Sequence, residues 1–269
     1  HQAVYDCLHV LTDAGLVRSL QPAGSAARYE IAVHGSRLGM VNGDGTYTPS
    51  PAISQLVNFD PSAFPDAREY LDAAWEVLAD GGNVRMPLGK YQHSPHYGTV
   101  EDRFGVGWQL MLTNPDGDPA PFLTPNVLFT ESVLWQAGEA IDAWVAAVPG
   151  SEVLHRVTYP PRDGVPADAI MFADAAVGGA PLSVMDSGPG HDLPFTPGSS
   201  FVVRCPDQTA IDQVWDALSA DPGAEACGWL KNRFGISWQV LPENMGELMA
   251  RPGAHEHMMT MRKIIIDEL

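Results

Sequence analysis

The chain has 269 residues, 45% hydrophobic and 18% charged, with 33 Asp and Glu against 15 Lys and Arg for a formal net charge of −18. Length alone predicts about two domains, each large enough for its own core. A surface this acidic, with no basic stripe, argues against nucleic acid and anionic membrane as partners, because both carry the same sign; no apolar run approaches the roughly 20 residues of a bilayer crossing, and no charged-then-apolar leader opens the chain.

In chain order, the sequence starts at His1, without Met and within a predicted element. Ala3, Val4, Cys7, Leu8 and Leu11 fall into step with Ala140, Ile141, Trp144, Val145 and Val148, and the latter helix follows a strand at 127–129. The spacing therefore predicts a strand before His1. Residues 29–42 read as two strands joined at a Gly turn, as do 170–186. Thr48-Pro49 opens an apolar strand through Ile53, Leu56, Val57 and Phe59, and Trp75 and Leu78 share a helix. The next signature, FGVGWQLM at 104–111, reappears as FGISWQVL at 234–241, so the chain is an internal duplication.

The second half begins with a strand at 126–129 and a helix over 138–148 that buries Ile141, Trp144, Val145 and Val148. Three strands follow, at 152–159, 168–176 and 181–186. A further strand at 199–205 leads to a helix over 209–218, opened by Asp207 or Thr209, and then to strands at 226–229, 230–233 and 236–241. Each half is thus two βαβββ units, and the chain four. One such unit leaves an apolar sheet face open and must pair to bury it, so the expectation is α+β, with four βαβββ units forming two curved-sheet cups about a pseudo-twofold axis. The expected domains are 1–121, 122–245 and an extension over 246–269, whose apolar end, MMTMRKIIIDEL, docks on the body. Cys7, Cys205 and Cys227 are an odd set without metal-type spacing, which fits reduced thiols and a cytoplasmic location.

FGISWQVLP with the preceding CGWLKNRFG, the TPGSSFVVRC strand and the QAGEAIDAWVAAVPGSEV helix resemble the PhnB-like, or 3-demethylubiquinone 3-methyltransferase-like, branch of the glyoxalase/bleomycin-resistance superfamily, the vicinal oxygen chelate proteins. The resemblance spans nearly all of 123–242; over 1–121 it is weaker, and an insertion at 86–100 replaces the CGW segment. It implies the glyoxalase-like fold, on which isomerases, dioxygenases, thiol transferases and drug-sequestering proteins all occur, so the site must decide function.

Metal-dependent members of that superfamily present a ring of His, Gln and Glu from four strands, with Glu on the last. Here the last-strand position carries Gln109 in the first half and Gln239 in the second, which can ligate through an amide oxygen but bring no charge. The strands at 127–129 and 201–203 supply no acid or His, leaving Asp186 as the acid near the end of a fourth strand. No metal and no cofactor are therefore expected. His93 and His96 read as solvated loop histidines, as do His255 and His257; His191 lies in a loop expected to overhang the second cup. Cys227 can act as a nucleophile if Lys231 or Arg233 lowers its pKa, against its reading as a small core hydrophobe. No nucleotide-binding glycine loop supports methyl transfer. Trp108 and Trp238 precede the two Gln, so each pair points to opposite faces.

The expected ligand site is the second cup, walled by Met185, Phe195, Phe201, Trp229 and Gln239, with Asp186, His191 and Cys227 beside it and Gln109 at the matching place in the first half. This predicts a small-molecule binding protein, an internal pseudo-dimer compatible with a homodimer, with no catalytic residue assigned. The alternative is a metal-dependent glyoxalase-type lyase, isomerase or dioxygenase using Gln239, Asp186 and His191. A third reading makes one half purely structural.

Overall fold

The computed structural model describes residues 17–19, 28–33, 36–41, 46–117 and 119–269; the expected helix over 3–11 lies outside the described residues. The chain divides into two compact units, His1–Leu128 with Pro181–Ser183, and Phe129–Ala180 with Val184–Leu269.

In the first unit, β1 (Val17–Ser19), β2 (Arg28–Val33) and β3 (Ser36–Val41) form an antiparallel sheet. The next run is β4 (Ile53–Phe59), α1 (Ala67–Ala79), β5 (Asn83–Tyr91), β6 (Ser94–Glu101) and β7 (Gly107–Leu112), a complete βαβββ unit. Its strands order β5-β6-β7-β4, with β4 parallel to β7 and antiparallel to β8 (Leu123–Phe129), Ile53 opposite Val127 and Val57 opposite Leu123.

Helix α1 buries Ala67, Leu71, Ala74 and Leu78, the i, i+4, i+7, i+11 stripe of an amphipathic helix. They pack on Val57, Phe59, Val100, Trp108 and Leu110, and each large side chain so buried contributes about 1.5–3 kcal/mol. Strand β6 passes close beneath the helix at Gly98, where a Cβ would stand 2.6 Å from the Trp75 ring. Alternation then fixes the other face of the sheet. With Val57, Phe59, Trp108 and Leu110 against the helix, Ser54, Leu56, Asn58 and Gln109 face away from it.

In the second unit α2 (Ala137–Ala147) is followed by β9 (Glu152–Thr158), β10 (Ile170–Val177) and β11 (Ala180–Asp186), ordered β11-β10-β9. Then β12 (Ser200–Cys205), α3 (Gln208–Leu218), β13 (Trp229–Lys231) and β14 (Ser237–Pro242) make a sheet ordered β12-β14-β13. The Asp207 carboxylate caps α3 by accepting from the Ala210 N–H at 2.8 Å. This last unit has two strands after its helix where the sequence predicted three: the segment at 226–229 contributes only an isolated bridge, Ala226 to Trp229, because it turns sharply through Cys227 (φ 51) and Gly228 (φ 85).

The C-terminal segment, with α4 (Met245–Leu248) and α5 (Ala254–Thr260), docks as expected. Leu241, Leu248, Ile264 and Leu269 form one buried cluster, and the backbone N–H groups of Cys227 and Gly228 donate to Met261 and Arg262 carbonyls at 2.8 and 2.7 Å. Gly228 is required there, since a Cβ would lie 2.9 Å from Leu241 Cδ2 and 3.1 Å from Ile264 Cγ1.

Candidate functional site

The two repeated glutamines build the same first contact. Gln109 Nε2 donates to Ser54 Oγ at 2.9 Å, and Gln239 Nε2 donates to Ser200 Oγ at 2.9 Å. Each pair joins the first strand of a module to its last, which lie parallel side by side. Neither serine stood among the expected site residues; the two occupy the same register, Ser54 opposite Gly107 and Ser200 opposite Ser237.

In the first unit the contact continues into a ladder. Gln109 Nε2 also donates to Asn126 Oδ1 at 3.1 Å, Asn126 Nδ2 donates to Ser183 Oγ at 2.9 Å, and Ser183 Oγ donates to the Pro125 carbonyl at 3.3 Å. At the other end the Tyr97 hydroxyl donates to Gln109 Oε1 at 2.7 Å. Ser54, Asn126, Ser183 and Tyr97 are buried and Gln109 is half-buried. Burial, with Tyr91 nearby, pushes the Tyr97 phenol well above its usual range, so the ladder is neutral throughout. The insertion at 86–100 supplies this end of it: it is the β5–β6 hairpin, and His93 in its turn sits edge-on to Tyr97, ring centroids 4.5 Å apart.

His96 departs from its reading as a solvated loop residue. It lies in β6, is 8% exposed, and its Nε2 is 2.5 Å from Asp72 Oδ1 while Arg68 Nη2 is 3.5 Å from Nδ1. Pro95 had pointed to a loop, but the β5–β6 register is irregular at this end, pairing Tyr91 with Ser94 and Gly89 with Tyr97, which is where a strand tolerates proline.

The greasy wall expected in the second half does not assemble around Gln239. Phe201 follows Ser200 and so turns to the opposite face, where its ring packs 5.1 Å from Trp238 and 6.4 Å from Trp144. Phe195 packs 5.5 Å from Phe129, itself 6.2 Å from Trp144. These aromatics form the core under α2, as alternation predicted for Trp238. Met185 is half-buried on β11 and Trp229 lies opposite Gln239 on β13. His191 is exposed in a loop.

Asp186 serves the backbone. One carboxylate oxygen accepts from Ile170 N at 2.8 Å and the other from Ala137 N, the first residue of α2, at 3.2 Å. Burial raises its pKa against the pull of these bonds and of one from the Trp135 backbone. Cys227 is half-buried, its Sγ 3.8 Å from Met259 Sδ. Among the described residues no three His, Cys, Asp or Glu side chains converge as a metal site, and no helix is long and apolar enough to cross a membrane.

A family model described as 3-demethylubiquinone-9 3-methyltransferase matches residues 11–111 and 122–241. Among solved structures, glyoxalase I from Zea mays aligns with 96% of this chain and 92% of its own, with a TM-score of 0.52 at 12% identity, a likeness of fold alone. The PhnB protein from Bacillus cereus, described as a putative 3-demethylubiquinone-9 3-methyltransferase, is 24% identical over 44% of this chain and 97% of its own, with a TM-score of 0.37. Among curated proteins, transcriptional regulator FurA of Mycobacterium tuberculosis is 72% identical over 32 residues, 12% of this chain and 22% of the regulator. The chain thus spans about a fifth of the length of that relative.

Proposed function

We propose, from the premise that this chain belongs to the 3-demethylubiquinone-9 3-methyltransferase family, that it is a small-molecule binding protein whose site is the neutral ladder of the first unit. The observation that carries this is the ladder itself: Tyr97, Gln109, Ser54, Asn126 and Ser183 are hydrogen-bonded in series without one charged member. Buried amides and hydroxyls fixed in this way select a ligand by polarity and shape. They do not fit a divalent ion, which prefers carboxylate, imidazole or thiolate donors and three or more of them.

The family name denotes methyl transfer, and the ladder contains no base to take the proton that a hydroxyl acceptor releases. The FurA-like stretch is shorter than the roughly 40 residues below which a domain rarely folds unaided, and we assign no DNA-binding role from it. Free thiols at Cys205 and Cys227 fit a reducing compartment, and we place the protein in the cytoplasm.

Thermal melts against a library of neutral organic molecules, and separately against Mn²⁺, Ni²⁺ and Zn²⁺, test the proposal. Organic ligands should raise the melting temperature and the metals should not, and Gln109→Ala should weaken the best ligand about tenfold, the equivalent of one hydrogen bond. A saturable metal-dependent rise abolished by Gln109→Ala would overturn it.

A further inference from the structure

Strands β4 and β12 hold the same place in their modules but not the same surroundings. β4 runs parallel to β7, with Leu56 opposite Gln109 and Val57 opposite Leu110; β12 runs parallel to β14, with Val202 opposite Gln239 and Val203 opposite Val240. Register therefore equates Ser54 with Ser200, Leu56 with Val202 and Val57 with Val203. The other edge of β4 is filled by β8, and Ser54, Leu56 and Val57 are 5%, 7% and 3% exposed. Among the described residues β12 pairs with β14 alone and stands at the edge of its sheet. There Ser200 and Val203 are half-buried and Val202 is 40% exposed. An edge strand presents a row of backbone donors and acceptors to a further strand, and an apolar side chain beside them adds area to bury.

The geometry of the β4–β8 join says which strand fits. It is antiparallel, and its pairs close symmetrically around Ser54 and Asn126, with Ile53 opposite Val127 and Gln55 opposite Pro125. Antiparallel pairing about a central residue is an arrangement that a strand can make with an identical copy of itself across a twofold axis. Self-association of a chain with net charge −18 needs a surface free of acids. Residues 196–205, TPGSSFVVRC, contain none.

We propose that β12 pairs antiparallel with β12 of a second copy of this chain, Ser200 lying opposite the partner's Ser200 in the register that Ser54 and Asn126 show. Gln239 Nε2 donates to Ser200 Oγ at 2.9 Å, and a serine hydroxyl both accepts and donates. One Ser200 hydroxyl donates to the partner's Ser200 Oγ. The contact that ends at Ser200 in a single chain then runs on from Gln239 through both serines to the partner's Gln239, a second neutral ladder shared by two chains. Val202 is covered at the same time, because it falls beside the partner's Gly198, where no side chain competes for the space.

Sedimentation velocity of the full chain over a wide range of concentration, together with cysteine crosslinking, tests this. The chain should reach a dimer, and Val202→Asp, at an exposed position, should weaken that dimer at least about tenfold with an unchanged circular dichroism spectrum. Directly opposite residues of antiparallel strands have Cα atoms about 4.5–5.5 Å apart, inside the reach of a disulfide. Ser200→Cys should therefore link two chains on mild oxidation, with the bond mapped to position 200 in both peptides. Val202→Cys should not, since its two copies stand four residues, or about 13.6 Å, out of step along the strands. A chain that stays monomeric at every concentration, a dimer that Val202→Asp leaves intact, or a link through Val202→Cys in place of Ser200→Cys would overturn the proposal.

Discussion

The turn before the last strand of the module is built twice, and the two copies differ by one atom. Asp102 Oδ1 accepts from the Phe104 and Val106 N–H groups at 2.9 and 3.0 Å, and Asn232 Oδ1 accepts from Phe234 and Ile236 at 3.1 and 3.0 Å. In both an arginine guanidinium covers the following phenylalanine ring, Arg103 at 5.4 Å and Arg233 at 4.6 Å. The second side-chain atom separates them. Asp102 Oδ2 accepts from the Trp108 indole at 2.9 Å, whereas Asn232 Nδ2 and the Trp238 indole N–H are both buried without partners. A turn needs only the first oxygen; satisfying the tryptophan behind it needs a second acceptor, which an amide lacks. The same asymmetry marks the glutamines, since the first ladder runs on through Asn126 and Ser183 and the second contact ends at Ser200.

Breaking the better-satisfied turn should have the largest effect. Asp102→Ala strands three N–H donors, and at about 1–3 kcal/mol for each buried donor left unpaired the loss should reach about 3 kcal/mol in urea unfolding; a loss under about 1 kcal/mol would show that water replaces the carboxylate. Asp102→Asn converts the first turn into the second and should cost about 1–3 kcal/mol. The reverse change, Asn232→Asp, should stabilise by about 1 kcal/mol at neutral pH, and unchanged stability would mean that burying the new charge offsets the Trp238 bond.

A smaller effect lies in the pH dependence. Burial holds the Asp186 carboxyl above its ordinary value of 3.8, so the unfolded chain gives up this proton first. The contribution of Asp186 to stability is therefore fully present below 3.8 and declines as pH rises through the raised folded value, by at most about 1.4 kcal/mol for each unit between the two. Asp186→Asn should flatten that part of the stability profile, and identical profiles would contradict the assignment. The smallest effect is chemical: burial, with Asp207 and Glu243 nearby, pushes the Cys205 thiol up to about 11. Brief alkylation of the native protein at pH 8 should modify Cys227 and leave Cys205 intact, as peptide mapping would show.

Periodicity made the helices, most strands, the docking of the C-terminal segment and the opposite facing of Trp238 and Gln239 readable in the sequence. The same alternation, applied from Ser200, places Phe201 under the helix layer and would have removed it from the expected pocket wall. The ladder was harder to see. Ser54, Asn126 and Ser183 are common residues without a spacing rule, and they meet only because β4 pairs with β8 within the first unit. His96 was misread because proline usually marks a loop, and the long hairpin that absorbs it is set by pairing rather than by local preference.

The ladder around Gln109 is built of neutral amides and hydroxyls, which do not suit a divalent ion. Equilibrium dialysis of the protein against Zn²⁺, Ni²⁺ and Mn²⁺ in turn, with elemental analysis of the retained metal, addresses this most directly. Retention well below one ion per chain, unchanged by Gln109→Ala, is the expected result; one tightly held ion per chain, lost in Gln109→Ala, would contradict it.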